Sequence, residues 1–81
     1  MKSECLHIKV TENAITQIDL TFCASLTEHL PRLLPQRVQA RLKKRAIDPK
    51  AIACHACATG FAPGELFCVS EGKRLLRAWL E

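Results

Sequence analysis

Cys54-His55-Ala56-Cys57 is the stretch of this chain whose residue types and spacing suit it to chemistry. Thiolate and imidazole are good zinc ligands, and C-x-x-C is half of many zinc sites. A tetrahedral structural site needs four ligands, and the chain has no second C-x-x-C and no pair of closely spaced histidines. Cys54 and Cys57 therefore complete a zinc site only if the fold brings Cys68 to them, with Cys23 or His29 as a fourth ligand; His55 is the remaining candidate in the string. A redox dithiol is the second chemistry open to the pair. Such dithiols sit at a helix N-terminus after a strand, where the helix dipole lowers the first thiol's pKa. Here Cys54 is expected a turn and a half inside a helix, with no βαβ pattern before it. Covalent haem is excluded, because Ala58 rather than histidine follows Cys57. More simply, Cys54 and Cys57 pack inward with Ile52 and Ala58 as small apolar groups, leaving His55 half-exposed beside them.

Elsewhere the signals for chemistry are absent. His7 is expected on the outward face of a first strand and His29 on a first helix, and no carboxylate is placed by sequence to make either a general base. Gly60 and Gly64 are turn residues rather than a phosphate cradle, and nothing resembles a dinucleotide turn or a nucleophile elbow. No enzymatic activity and no cofactor are expected.

These residues sit on 81 residues, enough for one domain over 1–81 with a modest stability margin. Hydrophobic content of 48% and charged content of 25% argue against disorder. No apolar stretch approaches the roughly 20 residues that span a bilayer. Glu4, His7 and Lys9 interrupt any signal-peptide core, so a cytoplasmic protein is expected. The five cysteines are an odd number without a secretion signal, which favours reduced thiols. The net charge of +4 is concentrated in Arg32, Arg37, Arg41, Lys43, Lys44, Arg45 and Lys50. Such a cluster suits phosphate, an acidic partner or simply the solvated face of a helix.

Alternation of apolar and polar residues predicts the elements. Leu6, Ile8 and Val10 alternate with Cys5, His7 and Lys9; Ile18, Leu20 and Phe22 alternate with Gln17, Asp19 and Thr21. The turn at 11–14, with Asn13 tolerant of positive φ, makes these strands an antiparallel hairpin. Ser25 and Glu28 have capping-box spacing for a helix carrying Leu26, Leu30, Leu33 and Leu34, interrupted by Pro31. Pro35 fits the first turn of a second helix, with Val38 and Leu42 on its apolar stripe and basic residues around the rest. Asp48-Pro49 reads as N-cap and first residue of a third helix over about 49–58. Leu66–Val69 is a short strand, Gly72 the turn residue, and Leu75–Leu80 the last strand, with Leu76, Ala78 and Leu80 on one side.

The expected fold class is therefore α+β: two β-hairpins in a four-stranded, mostly antiparallel sheet, enclosing two to three short helices packed on one face. Its inner face holds Leu6, Ile8, Val10, Ile18, Leu20, Phe22, Phe67, Val69, Leu76 and Leu80. Leu26, Leu30, Leu33, Val38, Leu42, Ile47 and Ile52 cover it. The other face should be polar if it meets only water. Instead Leu75, Trp79, Cys5 and Cys68 fall there, near Arg77 and Lys9. Leu75, Arg77, Trp79 and Cys68 are thus candidates for an interaction surface.

The order of elements also resembles a small domain of uncharacterised bacterial proteins, found in cell-envelope-stress and adhesin-like proteins beside a short oligomerisation motif. The resembling stretches are Leu6-His7-Ile8-Lys9-Val10, Ile18-Asp19-Leu20, Leu33 through Leu42, Ile47-Asp48, Gly64-Glu65-Leu66 and Glu71-Gly72-Lys73, then Leu76, Arg77, Trp79, Leu80 and Glu81. They cover nearly the whole chain. The resemblance implies a hairpin–helices–hairpin fold and no catalytic residues. This chain departs from it at Ala46, where a glycine is usual, and at Ala53, Cys54 and Cys68, where acidic residues are usual.

Three functions are open at this point. The first is a protein-interaction or assembly module that self-associates, as a homodimer, or binds another protein, through the outer sheet face or a strand edge. The second is nucleic-acid binding through Arg37–Lys50, although three Phe, one Trp and no Tyr make no stacking ladder. The third is a zinc- or redox-responsive module at Cys54 and Cys57.

Overall fold

In a computed structural model that describes residues 3–81, the chain runs β1 (Cys5–Glu12), β2 (Ile15–Cys23), a 3₁₀ segment (Ala24–His29), α1 (Leu30–Leu33), α2 (Gln36–Lys44), α3 (Pro49–Ala58), β3 (Gly64–Glu71) and β4 (Arg74–Leu80). The strands form one sheet in the order β2-β1-β4-β3, every neighbouring pair antiparallel. The fold is α+β, with both hairpins where alternation places them. Among the described residues no helix is long and apolar enough to cross a membrane.

Each hairpin closes through left-handed residues. Asn13 and Ala14 have φ of 53° and 62°, the sign pattern of a two-residue type I′ turn matched to strand twist. Gly72 supplies φ 58° in the second hairpin. Both hairpins are longer than the alternating runs alone suggest, because pairing continues to Glu12–Ile15 and to Glu71–Arg74. Arg74 Nε donates to Glu12 Oε1 at 3.1 Å, joining β4 to β1 at that end.

One face of the sheet carries the core. Leu6, Ile8, Val10, Phe67, Val69, Leu76, Ala78 and Leu80 are buried against Leu30, Leu34, Val38, Leu42, Ala53 and Ala56. Ile18, Leu20 and Phe22 share that face but are only half-buried, since β2 is an edge strand. Helix α2 lies over the central strands, where Arg37, Val38 and Arg41 flank Val10 and Leu76.

The entry to the helices differs from expectation. Ser25 does not cap a helix; a 3₁₀ segment begins at once from β2, its first N–H held by the Glu4 carbonyl. Three residues per turn put Ala24, Thr27 and Leu30 on one buried side. Leu26 is thereby turned outward, 38% exposed, Leu33 is only half-buried, and Leu34, which the expected covering set omits, is buried. Leu34 is extended because proline follows, and Pro35 becomes the N-cap of α2, one residue before the expected first turn. Its carbonyl accepts from the Val38 and Gln39 N–H groups. Helix α3 starts as expected: Asp48 accepts from the Lys50 N–H at 3.0 Å, with Pro49 in the first turn.

Candidate interaction surfaces

The cysteines of α3 face solvent. Ala53 and Ala56 are the buried residues of that helix, while Cys54, Cys57, His55 and Ala58 are exposed and Ile52 is half-buried. The inward packing expected of the two thiols is thus corrected. Helix α3 packs on α1 and the 3₁₀ segment with Ala53 and Ala56 buried and Ile52 partly covered. Cys68 lies on β3, between buried Phe67 and Val69, and so points to the opposite side of the sheet from the helices. Cys23 is on the outer face at the end of β2, and His29 Nε2 is 3.1 Å from Glu28 Oε1. The fold does not gather Cys54, Cys57, His55 and Cys68. Among the described residues no three His, Cys, Asp or Glu side chains converge as metal ligands would.

The outer face is a set of cross-strand rows. Thr21, His7 and Trp79 form one, on β2, β1 and β4; Asp19, Lys9, Arg77 and Cys68 form the next. Trp79 looks away from the helices, as expected, but it is half-buried by neighbours of its own. His7 stacks on it, the Arg77 guanidinium carbon lies 4.7 Å from its ring centre, and its Nε1 donates to Glu81 Oε2 at 2.9 Å. Arg77 is also 3.7 Å from Glu65. Desolvation by packed neighbours, then the hydrogen bond and negative charge of Glu65, push the Cys68 thiol up from its ordinary value, with Arg77 opposing. Leu75 is 37% exposed in the row below. Leu75, Arg77, Trp79 and Cys68 are contiguous, yet polar groups bridge them.

The basic cluster divides around α2. Lys43 and Lys50, with Gln36, Gln39 and Asp48, line an open groove of about 620 Å³ beside Pro31. Arg37 and Arg41 lie on the sheet side, near Glu12 and Gln17. Arg45 Nε donates to Glu71 Oε1 at 3.0 Å. That hydrogen bond, with the charges of Arg45, Arg41 and Lys44, holds the Glu71 carboxyl below its ordinary range. Arg32 is exposed on α1.

The free edge of β2 is a surface that alternation alone does not reveal, because it depends on strand order. Cys5 donates to and accepts from Glu81, both bonds at 3.0 Å, so both its main-chain groups point to β4. Cys5 and Cys23 are therefore a non-hydrogen-bonded pair across β1 and β2, flanked by the bond from the Ala24 N–H to the Glu4 carbonyl. The register continues unbroken to Val10 and Ile18. Alternation then puts the main-chain groups of Phe22, Leu20 and Ile18 toward β1, and those of Cys23, Thr21 and Asp19 toward the open side. Among the described residues nothing pairs with that side. It carries no proline, glycine or lysine, the residues that usually blunt an edge. The opposite edge, β3, begins with Gly64 and is broken by a bulge between Glu65 and Phe67.

Compared with known proteins, the chain matches no family model, no curated protein and no solved structure.

Proposed function

We propose that the chain is a non-enzymatic assembly module of the cytoplasm that pairs with a second copy of itself along the edge of β2. One observation carries this: the strand is self-complementary about Leu20. A two-fold axis there sets Leu20 against its own copy and Ile18 against Phe22 on the half-buried face. On the outer face it sets Asp19 against Thr21. The apolar pairs fall at non-hydrogen-bonded positions, where side chains approach most closely. The outward main-chain groups of Asp19 and Thr21 bond across the axis, and like charges do not meet. The half-exposed Ile18, Leu20 and Phe22 gain cover that the helices leave incomplete. Edge addition of this kind draws affinity from main-chain bonds and specificity from alternate side chains.

The basic cluster supports nucleic-acid binding less well, since Arg45 is engaged with Glu71 and the remaining charges face two ways. The outer face around Leu75 and Trp79 supports self-association less well than the edge, because Trp79 and Arg77 are already engaged with Glu81 and Glu65.

Sedimentation equilibrium tests the proposal. The wild-type chain is expected to shift from 9.1 kDa toward twice that mass in the micromolar range. Thr21→Pro removes an N–H aimed at the open edge and no bond of the internal ladder, so it should remain folded and monomeric. Wild-type protein at 9.1 kDa throughout overturns the proposal. A Thr21→Pro dimer that dissociates on Leu75→Lys moves the interface to the outer face.

A further inference from the structure

We infer that Cys5 and Cys23 form a redox-convertible dithiol, a modification site for small-molecule disulfides such as glutathione disulfide. It does not depend on self-association: Cys23 belongs to the β2 edge, but the chemistry needs only the two side chains that one chain presents on the outer face.

The placement follows from the ladder. Cys5 alternates with buried Leu6, and Cys23 with half-buried Phe22, so both side chains leave the sheet on the same side. They are register partners at a non-hydrogen-bonded position, where facing Cα atoms stand about 4.5 Å apart. Disulfides span Cα separations of about 4.4–6.8 Å, so this site needs no backbone rearrangement. A hydrogen-bonded site also falls in that range but aims the Cβ atoms less directly at each other. Cys5 opens β1 and Cys23 closes β2, so the bridge would lie at the end of the ladder, where side chains can close the last fraction of an ångström without bending a paired strand. Both thiols are free in the structure, Cys23 exposed and Cys5 half-buried.

The exposed Cys23 meets the oxidant first. Its thiolate attacks one sulfur of glutathione disulfide, forming a mixed disulfide and expelling one glutathione thiolate. The Cys5 thiolate then attacks Cys23 Sγ, forming the intramolecular bond and expelling the second glutathione. Two protein thiols lose two electrons and two protons, and one glutathione disulfide becomes two glutathione thiols. In a reducing cytoplasm the pair rests as thiols and oxidises when the disulfide pool rises.

Peptide mapping of the full chain decides the matter. Trypsin cleaves at Lys9 and so separates Cys5 from Cys23, while Cys54, Cys57 and Cys68 share a later peptide. After glutathione disulfide the chain should stay monomeric and be lighter by about 2 Da before alkylation, and after alkylation of residual thiols the Cys5 and Cys23 peptides should appear joined. In Cys23→Ser, glutathione attached at Cys5 should persist at least about ten-fold longer than any mixed disulfide of the wild type, because no neighbour displaces it. Far-ultraviolet circular dichroism confirms that this variant is folded. A Cys54–Cys57 bond formed instead, stable glutathione adducts at Cys5 and Cys23, or bonds between chains would each overturn the inference.

Discussion

The imidazole of His7 lies flat against the indole of Trp79, ring centres 5.0 Å apart and planes 17° from parallel. The two residues are register partners on β1 and β4, and Glu81 Oε2 accepts from Trp79 Nε1 at 2.9 Å and lies 3.2 Å from His7 Nε2. On its other side the imidazole Nδ1 and the Thr21 hydroxyl are hydrogen-bonded at 3.3 Å. One chain of contacts thus crosses β2, β1 and β4 on the side without helices.

Removing the stacked ring should cost the sheet measurably. His7→Ala is expected to lower unfolding free energy by about 0.5–1.5 kcal/mol, the worth of an aromatic pair beyond its buried area. Glu81→Gln keeps an acceptor for the Trp79 N–H and should cost less. Urea titrations followed by Trp79, the chain's single tryptophan, check both.

Two alanines occupy left-handed backbone that suits glycine. Ala14 has φ 62° in the first turn and Ala46 has φ 56° after α2. An L-residue with a Cβ pays roughly 1–2 kcal/mol in that region. Ala14→Gly, which creates the Asn-Gly pair favoured by type I′ turns, and Ala46→Gly should each stabilise the fold by about 0.5–1 kcal/mol after the entropy of glycine is subtracted. Thermal unfolding should show Tm rising by a few degrees in each.

Acid should weaken the tie between α2 and β3. The Arg45 hydrogen bond lowers the Glu71 pKa from its ordinary 4.5, so the folded state favours the carboxylate. Its contribution is complete above the unfolded carboxylate pKa and is lost as pH falls through the lower folded value. Glu71→Gln should therefore lose less stability than wild type between about pH 5 and about pH 2, measured as urea midpoints across that span.

Cys68 should be a slow thiol at neutral pH. Its pKa is raised from 9.0, by desolvation first and by Glu65 next. Iodoacetamide modification of a chain retaining only Cys68 should rise at higher pH than for a free thiol. Glu65→Gln should move that profile down and speed alkylation at neutral pH.

Much of this architecture was legible in the residues. Leu6, Ile8 and Val10, and later Leu76, Ala78 and Leu80, alternate cleanly because one face of their strands is dry, and those six are buried. Asp48-Pro49 marks α3 because capping chemistry is local. The segment at 24–30 was misleading because a 3₁₀ turn and an α-turn distribute the same leucines to different sides. Cys54 and Cys57 were misplaced because α3 buries alanines, and alanine carries little directional signal. Strand order is a tertiary fact, so neither the open edge of β2 nor the bonding type at Cys5 and Cys23 is written in any local pattern.

The middle of the sheet is a seam between the first strand and the last, closed by hydrogen bonds from the Glu4 and Cys5 N–H groups to the Glu81 carbonyl. During synthesis each hairpin can zip by itself, but the seam must wait until residue 81 is free, and every pairing in it spans most of the chain. Docking of the two hairpins is thereby expected to be the slow event, of the non-local kind that limits β-rich folding. The adjacency of residues 4 and 81 also means that a short bridge between them, with new ends opened in a surface turn, would preserve every strand while making that seam local.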